Sequence, residues 1–183
     1  MKFFEDIRVG ETSQIGSHTF TADDIKAFAE RFDPQPMHLD EQAASATLLG
    51  GLVASGWHSC CILMRLLTDN LLSDASFMGA PGVEEVKWLA PLRPGERITV
   101  RATVLETRAS RTRSDLGFVK FRFELLDASD KVLMTLIVSP MFGRRPAALA
   151  SEASVQRGEA IMMRALASEA SAQRGDLMMQ TRS

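Results

Sequence analysis

The stretch GWHSCCILMRLLTDNLL, residues 56–72, is apolar around nearly its whole helical circumference, with no charged side chain before Arg65. A helix of that kind is buried, not laid on a surface. The glycine-bearing turn LGGLVASG (49–56) delivers the chain into it. Downstream come VEEVKWLAPL (83–92), ERITVRATVLETRAS (96–110), GFVKFRFELLD (117–127) and KVLMTLIVSPMFG (131–143). They read as strands, the second and third alternating polar and apolar residues. Pro94–Gly95 and DASD (127–130) supply turns between strands. The expected core is a meander of four long antiparallel strands around one buried helix, an α+β fold.

Upstream, ETSQIGSHTF (11–20) predicts a short strand and TADDIKAFAERF (21–32) a helix. Thr21 is a natural N-cap, Asp23 and Asp24 suit the first turn, and Ile25, Phe28, Ala29 and Phe32 recur at helical spacing. The segment LDEQAASATL (39–48) predicts a second short helix, and SDASFMGAPG (73–82) a loop.

The chain has 183 residues, 45% hydrophobic and 24% charged, with a net charge of −2. That composition suits one globular domain with an extension, and it offers no basic field for nucleic acid. The opening MKFFEDIRVGETS lacks the apolar core of a signal peptide, and no apolar run approaches the ~20 residues that span a bilayer. Cys60 and Cys61 are adjacent and make no disulfide framework, so a cytoplasmic, reducing home is expected. The character changes after Arg145. ALASEASVQRGEAIMMR from Ala148 is followed 17 residues later by ALASEASAQRGDLMMQ from Ala165. One tandem pair is too few for a solenoid. The expected division is therefore a folded domain over 1–146 and a tail over 147–183, helical or disordered.

Chemistry concentrates in FDPQPMHLD (32–40). Pro34 and Pro36 stiffen the backbone between Asp33 and His38. Histidine exchanges protons near neutrality, and a nearby carboxylate can fix its tautomer or share a water with it. Spacing alone favours a loop in which Asp33 caps a turn and His38 bonds the backbone. Gly56, at the start of the apolar helix, allows close approach to free N–H groups at the positive end of a helix dipole. Such a site can bind an oxygen that gains negative charge, although a glycine at a helix start is also ordinary. Together, an acid–base pair and an oxyanion donor suit addition of water to a double bond conjugated to a carbonyl.

FDPQPMHLD resembles the motif of the MaoC-like, R-specific enoyl-CoA hydratases, Asp-x-Asn-Pro-x-His followed by an acidic residue; Asp33, Pro36, His38 and Asp40 match. GGLVASGWH (50–58) and VKWLAPLRPGERITVRATV (86–104) resemble that family's turn into its central helix and the strands that follow. The resemblance spans about residues 10–143. It implies a hot-dog fold, a sheet wrapped on the central helix, usually as a homodimer acting on an acyl-CoA thioester. Carried over, Asp33 and His38 hold and activate water. His38 serves as the base at Cβ, while Asp33 orients the water and helps deliver the α-proton. The Gly56 N–H receives the thioester oxygen. Gln35, Ser55, Trp57 and Lys87 are candidate substrate contacts. No metal or redox cofactor is implied, coenzyme A being part of the substrate. Gln35 departs from the pattern, one methylene longer than the family's Asn.

His58, Cys60 and Cys61 are read as core or tunnel lining, not metal ligands, because adjacent helical cysteines point about 100° apart. Arg108, Arg111 and Arg113 lie in a strand connection that is either solvated or in contact with coenzyme A phosphates. Two other functions suit such a fold: an acyl-CoA thioesterase and a non-catalytic acyl-CoA-binding module. Many hot-dog thioesterases carry a carboxylate in the central helix. Here none occurs before Asp69, which favours water addition.

Overall fold

The computed structural model describes residues 1–146; the repeat tail expected over 147–183 lies outside them. Seven strands form one antiparallel sheet: β1 (Thr12–Thr19), β2 (Phe77–Gly79), β3 (Val83–Trp88), β4 (Arg97–Ala109), β5 (Leu116–Leu126), β6 (Val132–Val138) and β7 (Met141–Gly143). The principal order is β1-β4-β5-β6-β3, with β7 pairing β5 and β2. Irregular register at Gln14/Gly16 and Val104/Glu106 marks where the sheet bends. Helix α1 (Ala22–Phe32) follows β1, and α2 (Pro36–Leu39) and α3 (Glu41–Ser45) are single short turns. Helix α4 (Gly56–Leu67) lies in the curl of the sheet and ends in a wide π-type turn over Thr68–Leu72. This is the hot-dog arrangement expected from the sequence. No described helix is long and apolar enough to cross a membrane.

Four local expectations are corrected. Strands β4, β5 and β6 do form a meander, but β3 pairs with β6 at the far edge instead of beside β4. The chain from Leu89 to Glu96 therefore crosses the end of the sheet, tied by the bonds Leu89 N–H to Leu133 O and Ala54 N–H to Leu92 O. Alternating polarity tells which face a residue takes, not which strand lies next to it. The final apolar run breaks at Ser139–Pro140 into β6 and β7, since proline cannot continue the ladder. Loop 73–82 contains β2. Helix α4 is buried on one side only: His58, Ser59, Leu63 and Leu67 face inward, whereas Trp57, Cys61 and Met64 are exposed.

The core gathers Phe20, Ile25, Leu63, Ile98, Val100, Leu125 and Met134, each at most 1% exposed. Inward residues of β4 and β5 recur every second position, as a half-buried strand requires. Thr21 caps α1 by accepting the Asp24 N–H at 3.1 Å, and Asp40 caps α3 by accepting the Ala43 N–H at 2.7 Å. These caps fix where α1 starts and where the short Asp33–His38 segment ends.

Leu63→Ala, which leaves a void between α4 and the sheet, is expected to cost about 2–5 kcal/mol. Thr21→Ala, which removes only a cap, is expected to cost about 1 kcal/mol. Urea unfolding of both variants measures the difference; equal losses would contradict the placement of Leu63 at the helix–sheet contact.

Candidate active site

Asp33 is the C-cap of α1, its own N–H bonded to Ala29 O at 2.9 Å. Pro34 and Pro36 turn the chain at once into α2, with Pro36 at a helix-start position where a missing N–H costs nothing. The stretch expected as a plain loop thus contains a helical turn, and His38 sits on it. Both backbone groups of Val53 clasp that turn. The Val53 N–H bonds Met37 O at 3.2 Å, and Val53 O lies 2.8 Å from His38 Nδ1.

The second contact determines the tautomer. A carbonyl oxygen only accepts, so His38 Nδ1 carries a proton and donates it. In the neutral ring, Nε2 then keeps its lone pair. His38 Nε2 lies 3.6 Å from Asp33 Oδ2, with the histidine side chain 9% exposed and the aspartate 18%. That separation leaves both groups free to meet one water molecule.

Each oxygen of Asp33 accepts one hydrogen bond from the protein, leaving further lone pairs for a water. Ser55 Oγ donates to Oδ2 at 2.6 Å, and Gln35 Nε2 donates to Oδ1 at 2.7 Å. Bonds from Ser55 and then Gln35, with His38 contributing least, hold the carboxyl below its ordinary 3.8 against the opposing effect of burial. The group is ionised at neutral pH. Its depressed value stabilises the fold above the unfolded pKa, and this contribution disappears as pH falls through the folded value. The longer Gln35 side chain therefore still reaches the carboxylate.

Ser55 is also the N-cap of α4, its oxygen accepting the Trp57 N–H at 3.2 Å. One hydroxyl thus joins the end of α1 to the beginning of α4. Gly56 occupies the first turn of α4, where an N–H has no intrahelical acceptor; among the described residues the Gly56 N–H donates to no group. The Trp88 indole lies against Gly56 and donates to its carbonyl at 3.0 Å. A Cβ on residue 56 would fall 2.5 Å from Trp88 Cε2, so only glycine fits beneath the ring.

These groups open on one cavity of about 430 Å³. Asp33, Gln35, His38, Ser55, Gly56 and Trp57 all line it, as do Leu49, Trp88, Leu89, Leu92, Leu133 and Met134. Trp57 stands at the rim, 61% exposed, in edge contact with Trp88 at 5.4 Å. Lys87 is corrected: it does not line the cavity and pairs with Glu85 at 2.7 Å. Neighbouring side chains on a strand face opposite ways, so Trp88 inward places Lys87 outward. Trp88 was the missed residue, and that same parity was the signal for it. The segment Leu89–Leu92 became part of the wall because β3 lies beyond β6.

The arginine loop stands apart. Arg113 pairs with Asp115 and Arg108 lies over Phe118 at 4.8 Å. Phe118 is seven residues from Leu125, whose partner Met134 lines the cavity, or about 23 Å along the strand. Within one chain these arginines do not reach the site. Cys60 is half-buried and Cys61 exposed, and no cluster of three or more potential metal ligands occurs among the described residues. His58 is buried, and burial followed by His18 pushes its imidazole down, against a smaller upward effect of Asp24.

Residues 8–119 match the family of the MaoC like domain. The crystal structure of a MaoC-like dehydratase from Rhodospirillum rubrum superposes with a TM-score of 0.74 at 40% identity, covering 79% of this chain and 98% of that one. An (R)-specific enoyl-CoA hydratase from Rhodospirillum rubrum is 28% identical over 109 residues, 57% of this chain and 70% of the relative. Protein YdeM of Bacillus subtilis, uncharacterised, is 26% identical over 115 residues, 63% of this chain and 80% of the relative. With Asp33 and His38 of the motif together on one cavity and a family match across most of the folded unit, this chain belongs to the MaoC-like domain family.

Proposed function

We propose that this protein catalyses the reversible hydration of a trans-2-enoyl thioester, carried on coenzyme A, to the (R)-3-hydroxyacyl thioester. One observation carries the proposal: an ionised carboxylate and an imidazole lone pair lie 3.6 Å apart on a cavity that also contains a helix-start N–H. A water between Asp33 and His38 gives one hydrogen to each in hydrogen bonding. As its oxygen attacks Cβ, His38 Nε2 takes a proton, and Asp33 steadies the imidazolium. The electron pair of the double bond moves toward the thioester oxygen, which the Gly56 N–H receives. The Asp33–His38 pair then returns the proton to Cα, leaving hydroxyl on Cβ, hydrogen on Cα and the protein unchanged. No step requires a metal or redox cofactor. Thioester cleavage is less well served, because α4 carries no carboxylate between Gly56 and Leu67.

The proposed assembly is a homodimer. Trp57, Trp88 and Leu89 are exposed by 46–61%, and they lie on or beside β3, an edge strand of the sheet. An apolar surface beside an unpaired strand edge suits a second copy. The expected compartment remains the cytoplasm.

With crotonyl-CoA and longer 2-enoyl-CoAs, the enoyl absorbance is expected to fall without release of free thiol. Asp33→Asn and His38→Ala should each lower kcat by about 100- to 10,000-fold while circular dichroism stays unchanged. Full activity in either variant removes that residue from the mechanism, and thiol release makes the protein a thioesterase.

Ser55→Ala takes away the strongest bond holding Asp33 ionised. Carbon-13 NMR of the carboxyl should then show Asp33 titrating at higher pH than in the unaltered protein. An unchanged titration would contradict the assigned role of Ser55.

A further inference from the structure

Two helix ends build this site, and one aromatic contact joins the bodies of the same two helices. Asp33 closes α1 and Ser55 with Gly56 opens α4. Phe28 stands five residues before Asp33, about 7.5 Å of helix rise. His58 stands three residues after Ser55. Their rings stack face to face, 4.5 Å between centroids and 5° from parallel. Phe20, just past the end of β1, meets the imidazole edge-on at 5.0 Å. His58 is 5% exposed, and its Nδ1 is buried without a hydrogen-bond partner among the described residues. The ring is thus held by its faces and edge, not by a bond to Nδ1.

We propose that His58 is a positioning residue: its stack on Phe28 sets the spacing between α1 and α4, and so aligns the Asp33 carboxylate with Ser55 and the Gly56 N–H. Between these helices the site has one short polar tie, Ser55 to Asp33 at 2.6 Å. A hydroxyl–carboxylate bond weakens steeply with misalignment. Loss of the stack lets the helix ends drift, and a misplacement of about 1 Å at reacting groups costs about a hundredfold in rate. The part of His58 that matters is its flat ring. Phenylalanine supplies the same flatness and removes the unpartnered nitrogen.

The test uses the full-length protein with His58→Ala, Phe28→Ala, the double variant, His58→Phe and His58→Gln. The kinetic arm rests on the proposed hydration. There His58→Ala and Phe28→Ala are expected to lower kcat 10- to 100-fold with KM changed less than twofold. The double variant should be no worse than the poorer single one, because both remove one contact. His58→Phe should recover kcat and raise the melting temperature, whereas His58→Gln should not recover kcat. The second arm needs no turnover. The Asp33 carboxyl, followed by carbon-13 NMR, should titrate at higher pH in His58→Ala and Phe28→Ala and return to its original position in His58→Phe. Independent, multiplicative losses, recovery by glutamine but not phenylalanine, or an unmoved Asp33 titration in His58→Ala would each overturn the proposal. Absence of hydration by the unaltered protein would remove the proposed reaction and leave the titration to decide the positioning role. If His58→Ala does not fold, Phe28→Leu and His58→Phe carry the same comparison.

Discussion

The hydrogen bond from Ser55 to Asp33 is the constraint on which the site depends. It connects a C-cap to an N-cap, so two helices approaching from different parts of the chain end at one point. A bond from a neutral donor to a charged acceptor contributes about 1.5–3 kcal/mol net, and at 2.6 Å this one is short. Its consequences run both ways. Toward α1 it keeps the carboxylate ionised without a cationic partner in direct contact. Toward α4 the same oxygen accepts the Trp57 N–H and leaves the Gly56 N–H for a ligand. Changing Ser55 therefore alters the charged group and the donor together.

Around this tie the fold removes freedom from each reacting group by a different means. His38 is fixed by the Val53 carbonyl, which also selects its tautomer. Gly56 is fixed by the Trp88 ring lying where a side chain would begin. Asp33 is fixed on its second oxygen by Gln35. None of these restraints comes from the element that carries the group restrained; even Gln35, two residues from Asp33, belongs to the start of α2 and not to α1. The long crossing Leu89–Glu96, created when β3 passes to the far edge of the sheet, closes the cavity from the opposite side. Architecture and chemistry thus meet in one topological decision.

Much of this was legible in the chain because the informative residues are close together. Asp33, Pro34, Pro36 and His38 announce a stiff turn with two titratable ends, and Gly56 announces a helix start open to a ligand. The cap Thr21 was readable for the same local reason. What remained hidden was long-range. Nothing in residues 32–40 says that Val53 will accept from His38, and nothing near Gly56 says that Trp88 will cover it. Strand parity says that Lys87 and Trp88 face opposite ways, but which of the two faces the cavity depends on the long-range placement of β3. The exposed side of α4 was unreadable because Trp57, Cys61 and Met64 are as apolar as the residues that are buried.

The central claim is that His38 presents an unprotonated Nε2 to the water it shares with Asp33. Nitrogen-15 NMR of the His38 ring in its neutral form tests this most directly. The account predicts a proton on Nδ1 and a bare Nε2. A proton found on Nε2 instead would leave no base facing the cavity and would contradict the mechanism.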